Sequence, residues 1–336
     1  MTAVGTPGDA VRADRSGDTR TAGGGPGAAR ANGAGPAGAR PAGVRHRWTD
    51  HGLMFVAPFL LVYALFLIWP LVSGLAMSLR SDNITGTGGE FVGLDNYAEA
   101  LGDPEVWSSL WNTVWFTVLS AVPLVLVGLV FALLAHHVRV VRWLWRLSWF
   151  APFLLPSGVI GLLFLWVIYP SDFGFADQVL ASFGLHPGIG WLTDERYAML
   201  SIVLATVWWT VGFNFLLYLA ALQAIPPYVY EAAELDGAGP AHRLWHITLP
   251  LLRRTTGVVV VLQVLASLKI FDQVYILTGG GPDDSTRPVL QYVFQAGFTG
   301  YRIGYASAVS YLFFALIVLV SLVQLRLSRR SGEETA

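Results

Sequence analysis

Two residue types that carry much protein chemistry are missing or almost missing from this sequence of 336 residues. It has no cysteine, and its one lysine is Lys269. The absence of cysteine excludes disulfide bonds, thiolate metal sites and a cysteine nucleophile. A phosphate-binding loop of the G-x-x-x-x-G-K-[ST] type needs a lysine after a glycine, whereas Lys269 follows Leu268 within a hydrophobic run. The polypeptide therefore has no such loop of its own.

Charge is scarce as well. Charged residues make up 13% of the chain and hydrophobic residues 54%, and the formal net charge is -1. This composition is too apolar for a soluble domain and is typical of a polytopic membrane protein. The charge balance indicates no basic domain for nucleic acid. Because backbone groups in lipid must be hydrogen-bonded within the protein, we expect an all-α membrane protein.

The amino-terminal residues 1–48 lack the apolar periodicity of the rest of the chain. They consist mainly of glycine, alanine, proline and arginine. Such a segment cannot bury enough surface to offset the entropy of ordering it, so we predict a disordered cytoplasmic tail. The alternative is a basic arm that binds lipid, but the arginines are scattered among glycines instead of clustered.

Residues 49–336 are predicted to form a transmembrane domain of six helices, with its core at about 107–327. A helix needs about 20 apolar residues to cross the hydrocarbon layer. The first stretch is too long for a signal-peptide core and lacks a convincing cleavage site, so we interpret it as an uncleaved span. The six predicted spans are 53–79, 111–135, 147–169, 199–224, 256–278 and 305–327.

The arginines predict the orientation of these spans. When six helices are threaded through a bilayer, most arginines outside the spans fall on one side, which the positive-inside rule makes cytoplasmic. The opposite loops carry four arginines among acidic residues. Both termini and the loop at 228–250 are therefore predicted to be cytoplasmic. The arginines on that side are Arg45, Arg47, Arg139, Arg142, Arg146, Arg243, Arg253, Arg254, Arg326, Arg329 and Arg330.

The loop at 228–250 is a polar island between two hydrophobic spans. Pro226 and Pro227 end the preceding helix, and the strong helix formers that follow predict a helix over 228–236. Gly237 is predicted to break it, and a second short helix can start at Pro240 and run until Pro250 opens the next apolar run. We expect a helix-turn-helix outside the lipid. Its small face is Ala232, Ala233 and Gly237, and its charges Glu231, Glu234 and Asp236 are offered to a basic partner.

The spacing within this loop resembles the EAA loop of ABC importer permeases. In that family the loop is the coupling helix that docks in a groove on a cytoplasmic ATPase. The resemblance implies that Glu231 and Asp236 orient the loop in its groove and that Gly237 makes the turn. An amphipathic connector is the alternative, and Arg254 departs from the proline that relatives often carry. The residues that match the motif are Glu231, Ala232, Ala233, Gly237, Ile247, Leu249 and Pro250.

Strings in the opposite loops are similar to carbohydrate-type ABC permeases. These strings are 91–97 with Asp103-Pro104 and Asn112-Thr113, then 173–185, 191–194 and 271–282. The resemblance covers about residues 50–327. It implies a type I importer permease of the maltose or glycerol-phosphate kind in the bacterial plasma membrane. Its implied partners are a second permease subunit, giving a heterodimer, an ATPase dimer that binds ATP and magnesium, and an extracytoplasmic solute-binding protein. The chain itself would bind no cofactor.

Several polar residues fall within the predicted spans, where they are costly and indicate function. Lys269 and Asp272 are three residues apart, so we expect them on one helix face, either neutralising each other or bordering a solute path. At 100° per residue, Gln263 and Asp272 point to opposite faces and cannot both line a narrow pore. Helix contact or path contact remains open for the others. The candidate path residues are Asn214, Tyr218, Gln263, Ser267, Lys269 and Asp272.

Other functions have less support in the sequence. His242 and His246 have a metal-capable spacing but lack a third ligand, so no metal site is predicted. An integral-membrane enzyme would need paired carboxylates or a basic cluster at one membrane face, and Asp283-Asp284 lies in a loop of glycine, proline and serine. We therefore expect a transport subunit without catalytic residues. A permease for amino acids, peptides or phosphate is the alternative.

Overall fold

The structure is a computed structural model that describes residues 51–83, 89–137, 142–168, 174–184 and 189–333. The chain divides into two units, residues 1–56 and 57–336. The predicted disordered tail at 1–48 lies outside the described residues, so it stays a prediction. Within the described residues every long element is a helix, and the strand-like pairing is limited to one isolated bridge between Arg80 and Phe91.

The first predicted span is one helix with a local change of winding. Helix α1 (His51–Tyr63) continues through a π segment (Ala64–Ile68) into α2 (Trp69–Ser78). Pro70 cannot donate an intrahelical hydrogen bond, and its ring would clash with the carbonyl four residues earlier. The wider π turn precedes this proline, and in it the Trp69 N–H reaches the Ala64 carbonyl. Within the span, Phe55–Ser78, only Ser78 at its end is buried, and nearly all other side chains are exposed.

The second span follows a short helix that lies beside the far end of the first span. Helix α3 (Asp95–Gly102) ends just before α4 (Pro104–His137), which contains the predicted span 111–135. The Asp103 carboxylate lies between them and accepts the Glu105 N–H at 2.8 Å, so it caps the first turn of α4. Helix α4 is therefore about 50 Å long and has one end on each side of the apolar layer.

The third predicted span, 147–169, is not a straight helix, which corrects the expectation from the sequence. Helix α5 (Arg142–Phe150) leads through a 3₁₀ turn (Ala151–Leu154) into α6 (Ser157–Val167), and the two parts are bent by 99°. Prolines at 152 and 156 remove backbone donors from the connection. If the bent pair counts as one span, the described residues contain six spans in total.

The fourth span is the central helix. After α7 (Phe175–Ser182), Asp194 caps α8 (Glu195–Gln223) by accepting the Arg196 N–H at 2.9 Å. Half of the residues along the most apolar stretch of α8 are buried, whereas none are buried along that of the first span. A methyl group at Gly212 would overlap the Trp149 carbonyl oxygen, so the glycine lets the end of α5 pack directly on α8.

The fifth span begins earlier and ends earlier than predicted. Helix α9 (Pro227–Leu235) is followed by α10 (Pro240–Arg243), a π segment (Leu244–Thr248) and α11 (Leu249–Leu268). The prediction that the span begins at 256 is wrong, because helix runs without a break from Pro240 to Leu268. As in the first span, a π segment comes before a proline, here Pro250, and the Leu249 N–H reaches the Leu244 carbonyl.

The chain after Leu268 forms short helices and then the last span. Helix α12 (Asp272–Leu277) is separate from α11, so the predicted end of the fifth span at 278 is also wrong. Helix α13 (Val289–Phe294) passes through a π segment (Gln295–Thr299) before α14 (Ile303–Glu333), which contains the predicted span 305–327.

Three hydrophobic clusters hold the helices together. One, around Phe164 and Ile202, joins α4, α6, α8 and α12. The second, around Phe215 and Val259, joins α4, α8 and α11. The third lies around Val309 and joins α3, α11, α13 and α14. Helices α4, α8 and α11 each contribute to two clusters, and α8 is the most buried of the spans, so it lies at the centre of the other spans.

Candidate functional site

The polar island folds as a helical hairpin at residues 227–250, called the hairpin below. Its first helix, α9, ends in a turn where Gly237 has a positive φ of 76°. The Gly237 N–H bonds to the Glu234 carbonyl at 3.0 Å, and the Ala238 N–H bonds to the Ala233 carbonyl at 2.9 Å. This pair of bonds is a Schellman motif, whose left-handed position favours glycine. The structure therefore has the turn that the sequence predicted.

Two side-chain contacts close the hairpin. The Tyr230 hydroxyl and the Thr248 hydroxyl lie 3.2 Å apart, and Glu234 forms an ion pair with Arg243. Glu234, which was expected to offer its charge to a partner, is paired within the hairpin, although its side chain is 61% exposed. Tyr230, Arg243 and Thr248 were not singled out from the sequence. The opposite signs of Glu234 and Arg243 on either side of the turn were the available signal.

The hairpin leaves a mixed surface exposed. Glu231 and Asp236 are both exposed, and the side chain of Leu235 is 90% exposed between them. The predicted small face is divided, because Ala233 is buried whereas Ala232 and Gly237 are exposed. Tyr228 and Trp245 add apolar surface. The exposed face therefore combines two carboxylates with three large apolar side chains.

The second half of the hairpin is continuous with a span. Ile247 lies in the π segment, and Leu249 and Pro250 form the first turn of α11, so all three belong to one helix. Ile247 and Leu249 are half-buried and Pro250 is exposed. The Thr248 hydroxyl bonds back to the Arg243 carbonyl at 3.3 Å, which satisfies an acceptor in the widened turn. No flexible joint separates the hairpin from the span.

A chain of polar side chains lies buried between α4, α8 and α11. Asn214 donates to the Gln263 side chain at 3.0 Å, and Gln263 donates to Ser267 at 3.1 Å. The Ser267 hydroxyl lies 3.0 Å from that of Ser120, a residue that the sequence analysis missed. Asn214 also donates to the Leu124 carbonyl, so it contacts the backbone of α4. The bond between Asn214 and Gln263 therefore joins α8 to α11.

Tyr218, one helical turn after Asn214 in α8, is fully buried. Its hydroxyl makes no hydrogen bond of good geometry with the described residues, although the Thr256 side chain faces it. Tyr218 and Asn214 are both absent from the lining of the nearby cavity. These two candidates are thus contacts between helices, and the other four candidate path residues are placed differently.

A cavity of about 390 Å³, called the central cavity, lies where α11 ends. Gln263, Ser267, Lys269 and Asp272 all line it. The expectation that Gln263 and Asp272 point to opposite sides is wrong, because the helix stops at Leu268 and Asp272 begins a new one. For the same reason Lys269 and Asp272 do not share a helix face, and no ion pair joins them in the described part of the chain. The remaining lining includes Phe116, Phe153, Thr206, Trp209, Thr210, Phe213 and Phe271.

The start of α4, at the opposite end from the hairpin, is bonded to α13 and α14 by the Asp103 network. This name covers Asp103, Glu105, Arg287, Tyr292 and Tyr305. The carboxylate of Asp103 accepts both tyrosine hydroxyls at 2.6 Å. Arg287, whose side chain is 10% exposed, pairs with Glu105 at 3.0 Å. Three segments of the chain, at 103–105, 287–292 and 305, therefore meet in one polar cluster.

The same contacts shift the acid-base properties of the network. Burial raises the pKa of Asp103, but hydrogen bonds from Tyr292, Tyr305 and the Glu105 N–H, together with the charge of Arg287, outweigh burial and lower that pKa below its ordinary value. Burial and the bond to Asp103 raise the pKa of Tyr292 to about 12. At neutral pH the Asp103 carboxylate is thus charged and accepts hydrogen bonds. The Tyr292 hydroxyl stays protonated and donates one.

The glycine-rich segment after α12, residues 278–288, is held by several hydrogen bonds. The Thr286 hydroxyl lies 2.8 Å from that of Thr278, and Gln291 donates to the Gly279 carbonyl at 2.6 Å. Asn112 donates to two carbonyls of the segment, and the Thr113 hydroxyl accepts the Val289 N–H at 3.0 Å. Asn112 and Thr113, noted in the sequence as part of a string, therefore attach this segment to α4.

The described residues contain no cluster of three potential metal ligands. The rings of His242 and His246 stack at 4.0 Å on the exposed side of the hairpin. Nδ1 of His246 lies 3.2 Å from the carbonyl oxygen of His242. One ring nitrogen of His246 is thus in contact with the backbone of the hairpin.

Comparison with known proteins places this architecture in a family. Residues 124–332 match the family model described as binding-protein-dependent transport system inner membrane component. The matched region includes the hairpin, all of the central cavity lining except Phe116, and four of the six spans.

Relatives match over nearly their full length. The sulfoquinovosyl glycerol transport system permease protein SmoG of Agrobacterium fabrum is 36% identical over 289 residues, which is 84% of this chain and 93% of the relative. The trehalose/maltose transport system permease protein MalF of Thermococcus litoralis is 35% identical, over 85% of this chain and 96% of the relative.

A solved structure has the same fold. The crystal structure of a bacterial ABC transporter for import of the acidic polysaccharide alginate contains a chain with a TM-score of 0.74 and 22% identity. The match covers 83% of the present chain and 95% of that one. At this identity the likeness concerns the fold alone. Together with the sequence matches, it leads to one conclusion: this chain belongs to the family of inner-membrane components of binding-protein-dependent transport systems, as a membrane-spanning permease subunit and not an enzyme.

Proposed function

We propose that the chain is one permease subunit of an ATP-driven importer for a sugar or a sugar-like solute. The names of its relatives support the solute class, since they refer to sulfoquinovosyl glycerol and to trehalose or maltose. The alginate structure has also been solved with a pentasaccharide-bound periplasmic protein. The observation that carries the proposal is the unbroken helix that joins the hairpin to the central cavity.

The importer requires partners that this chain does not contain. An extracytoplasmic binding protein delivers the solute, a second permease subunit completes the pathway as a heterodimer, and a cytoplasmic ATPase dimer binds ATP and magnesium. The exposed first span and the exposed face of the hairpin are surfaces available to other subunits or to lipid. The chain has no nucleotide-binding loop of the common type, so the energy of ATP hydrolysis must reach it through contact.

The hairpin is suited to receive that contact. Leu235 and Tyr228 present apolar surface, and Glu231 and Asp236 present charge beside it. Such a face fits a groove with an apolar floor and a basic rim, because desolvated apolar anchors supply affinity and the charges fix orientation. Glu231, Ala232, Asp236 and Gly237 are thus the residues assigned to the ATPase contact.

The helix from Pro240 to Leu268 would carry the motion to the solute. Its 29 residues extend about 43 Å, from the hairpin to the end of α11. Gln263 and Ser267 lie near its far end and line the central cavity. A displacement of the hairpin therefore moves cavity walls without a hinge between them, which is the physical requirement for alternating access.

The central cavity is the proposed solute path within this chain. Amide and hydroxyl groups of Gln263 and Ser267 can bond to sugar hydroxyls, and Trp209 and Phe271 offer aromatic surface to the apolar faces of a sugar ring. Lys269 and Asp272 add one charge of each sign to the lining. Asn214 bonds to the Gln263 side chain and so holds this part of the wall in place.

The test of coupling uses Gly237, whose added side chain would meet open space, so that only its backbone conformation limits substitution. Valine is strongly disfavoured at positive φ, whereas asparagine tolerates it. In the complete importer we expect Gly237→Val to abolish uptake of radiolabelled sugar while membrane insertion persists, and Gly237→Asn to retain most uptake. Normal uptake by Gly237→Val would refute the coupling role.

A charge reversal tests the docking face separately. Glu231→Arg is expected to weaken co-purification of the ATPase, because the variant presents a positive charge to a basic rim. Competition of uptake by sugars and by amino acids checks the solute class, and competition by amino acids alone would favour the rival class.

The orientation can be measured directly because the chain has no cysteine. A single cysteine introduced at the exposed residue Asp236 should react with an impermeant maleimide only after the cells are opened. Labelling of intact cells at that position would contradict a cytoplasmic hairpin.

A further inference from the structure

A second and larger cavity, called the hairpin cavity, lies beside the hairpin and is not used by the transport mechanism above. Its volume is about 980 Å³. It is enclosed by the ends of α4, α5 and α8 on one side and by the hairpin on the other. It therefore separates the part of the chain proposed to move from the helix ends that do not belong to the hairpin.

The hairpin cavity is level with the boundary of the apolar layer. Two candidate spans end within its lining, at His136 and at Gln223, and the bent pair begins at Trp143, next to it. Three separate helices thus reach the edge of the hydrocarbon layer at the same cavity. Its contents are consequently accessible from the headgroup region of the inner leaflet.

The cavity carries one positive charge that no acidic group of the described residues neutralises. Of its two arginines, Arg243 is paired with Glu234. Arg146 makes no hydrogen bond or ion pair with any residue that the structure describes, and its side chain is exposed to the cavity. The amide of Gln223 and the hydroxyl of Tyr230 line the same space. An unpaired guanidinium thus shares the cavity with other side chains that can form hydrogen bonds.

The rest of the wall is apolar. Leu133, Leu134, Leu222 and Leu244 line the cavity beside Arg146. A small hydrophilic anion would leave these side chains in contact with water, whereas an amphipathic ligand would cover them. The combination of one arginine with a leucine wall therefore favours a ligand that has an anionic head and an apolar body.

We propose that the hairpin cavity binds the phosphate headgroup of an anionic phospholipid from the inner leaflet. The Arg146 guanidinium pairs with the phosphate, because its planar fork matches phosphate oxygens. Gln223 and Tyr230 donate further hydrogen bonds, and the leucines contact the first methylene groups of the acyl chains. An arginine at an anionic membrane surface contributes about a fivefold gain in affinity.

Such a lipid would connect the hairpin to the helix ends around it. Arg146 belongs to α5, whereas Tyr230 belongs to the hairpin and already contacts Thr248. A bound headgroup between them therefore restrains the displacement of the hairpin. The lipid is inferred to regulate coupling, and this part of the inference depends on the proposed transport function. The binding site itself does not.

The binding site is tested by counting lipids. The full-length chain, purified in its native assembly, is reconstituted in phosphatidylcholine nanodiscs with and without phosphatidylglycerol and is then examined by native mass spectrometry. We expect wild-type protein to retain one phosphatidylglycerol per chain and Arg146→Gln to bind it about fivefold more weakly. Arg254→Gln is the matched control, since Arg254 is exposed and does not line the cavity.

Equal retention of phosphatidylglycerol by wild type and Arg146→Gln would overturn the site. Arg146→Lys keeps the charge and should retain more lipid than the glutamine variant, which separates loss of charge from a folding defect. Inorganic phosphate is the third arm. If it binds lipid-free protein with the same dependence on Arg146, a soluble phosphate and not a lipid is the occupant. Because lipid counting needs no transport, failure of the site and failure of the proposed function are distinguishable.

Discussion

The two ends of α4 differ in the number and burial of the polar contacts around them. At its start, the Asp103 network joins three segments of the chain, and Asn112 and Thr113 attach the glycine-rich segment to the same helix. At its other end, one hydroxyl pair and one exposed ion pair close the hairpin. Exposed ion pairs contribute about 0 to 1 kcal/mol, whereas hydrogen bonds to charged, partly buried groups contribute about 1.5 to 3 kcal/mol.

This difference indicates which end is fixed and which end can move. A segment whose contacts are few and exposed opens at low free-energy cost, and functional motion is drawn from such segments. The hairpin has that character, although each of its helices is internally regular. The end that holds the Asp103 network should therefore serve as the stationary frame, and substitutions there should affect stability more than coupling.

The largest effect is expected at Gly304, where α14 touches the chain before α3. A methyl group there would overlap the Arg80 carbonyl oxygen, and the Gly304 N–H bonds to the Asp82 carbonyl at 3.0 Å. Gly304→Ala should lower the free energy of unfolding by about 3 kcal/mol, because backbone and not a flexible side chain must shift. Thermal unfolding of the purified chain in detergent measures this.

Gly102→Ala is the matched control for this change. An added methyl group at Gly102 meets nothing within 4 Å. The control should be neutral or more stable by about 0.5 kcal/mol. Equal destabilisation by the two substitutions would show that this end is not the rigid frame.

A smaller effect, dependent on pH, is expected at Asp103. One carboxylate oxygen accepts the Glu105 N–H and the other accepts two tyrosine hydroxyls. Asparagine has a single acceptor oxygen, so Asp103→Asn must give up one of the two roles, at a cost of about 1.5 kcal/mol at neutral pH. Unfolding midpoints measured across a pH series test the charge directly.

The sign of the pH dependence follows from the lowered pKa of Asp103. Its stabilising contribution is complete above the ordinary aspartate value, about pH 4, and is lost as the pH falls through the lower folded value. The wild-type midpoint should therefore decline below about pH 4 more steeply than that of the asparagine variant. Parallel curves would exclude Asp103 as a charged member of the network.

The smallest effect on stability is expected at Tyr230. Tyr230→Phe removes the bond to Thr248, at a cost of about 0.5 to 1 kcal/mol. Amide hydrogen exchange of residues 228–248 should accelerate, while exchange around Asp103 stays unchanged. Tyr228→Phe is the control, since Tyr228 is largely exposed. Faster exchange at both ends would mean that they are not mechanically separate.

Much of the fold was predictable because long apolar segments and proline or glycine punctuation are local signals. Four of the six predicted spans, 53–79, 111–135, 199–224 and 305–327, each correspond to one long helix. The turn at Gly237 followed from the preference of glycine for positive φ. The bend in the third span was not predicted, because its angle depends on how α5 packs on α8 at Gly212.

The central cavity shows the limit of reasoning from periodicity. A rotation of 100° per residue holds only while the helix continues, and α11 stops between Gln263 and Asp272. Residues assigned to opposite faces consequently share one cavity. The functions of the hairpin residues and of the cavity residues remain predictions until uptake is measured.

The sequence by itself determined a six-span helical membrane protein, its permease family and the place of its polar hairpin. The length of an apolar run and the prolines and glycines that end a helix are properties of adjacent residues. Only the tertiary structure decided which charges are neutralised within the chain, such as Glu234 by Arg243, and which polar groups meet across it, such as Asp103 with Tyr292 and Tyr305. Asp103 and Tyr305, for example, are 202 positions apart. They arise from packing, which no local pattern specifies.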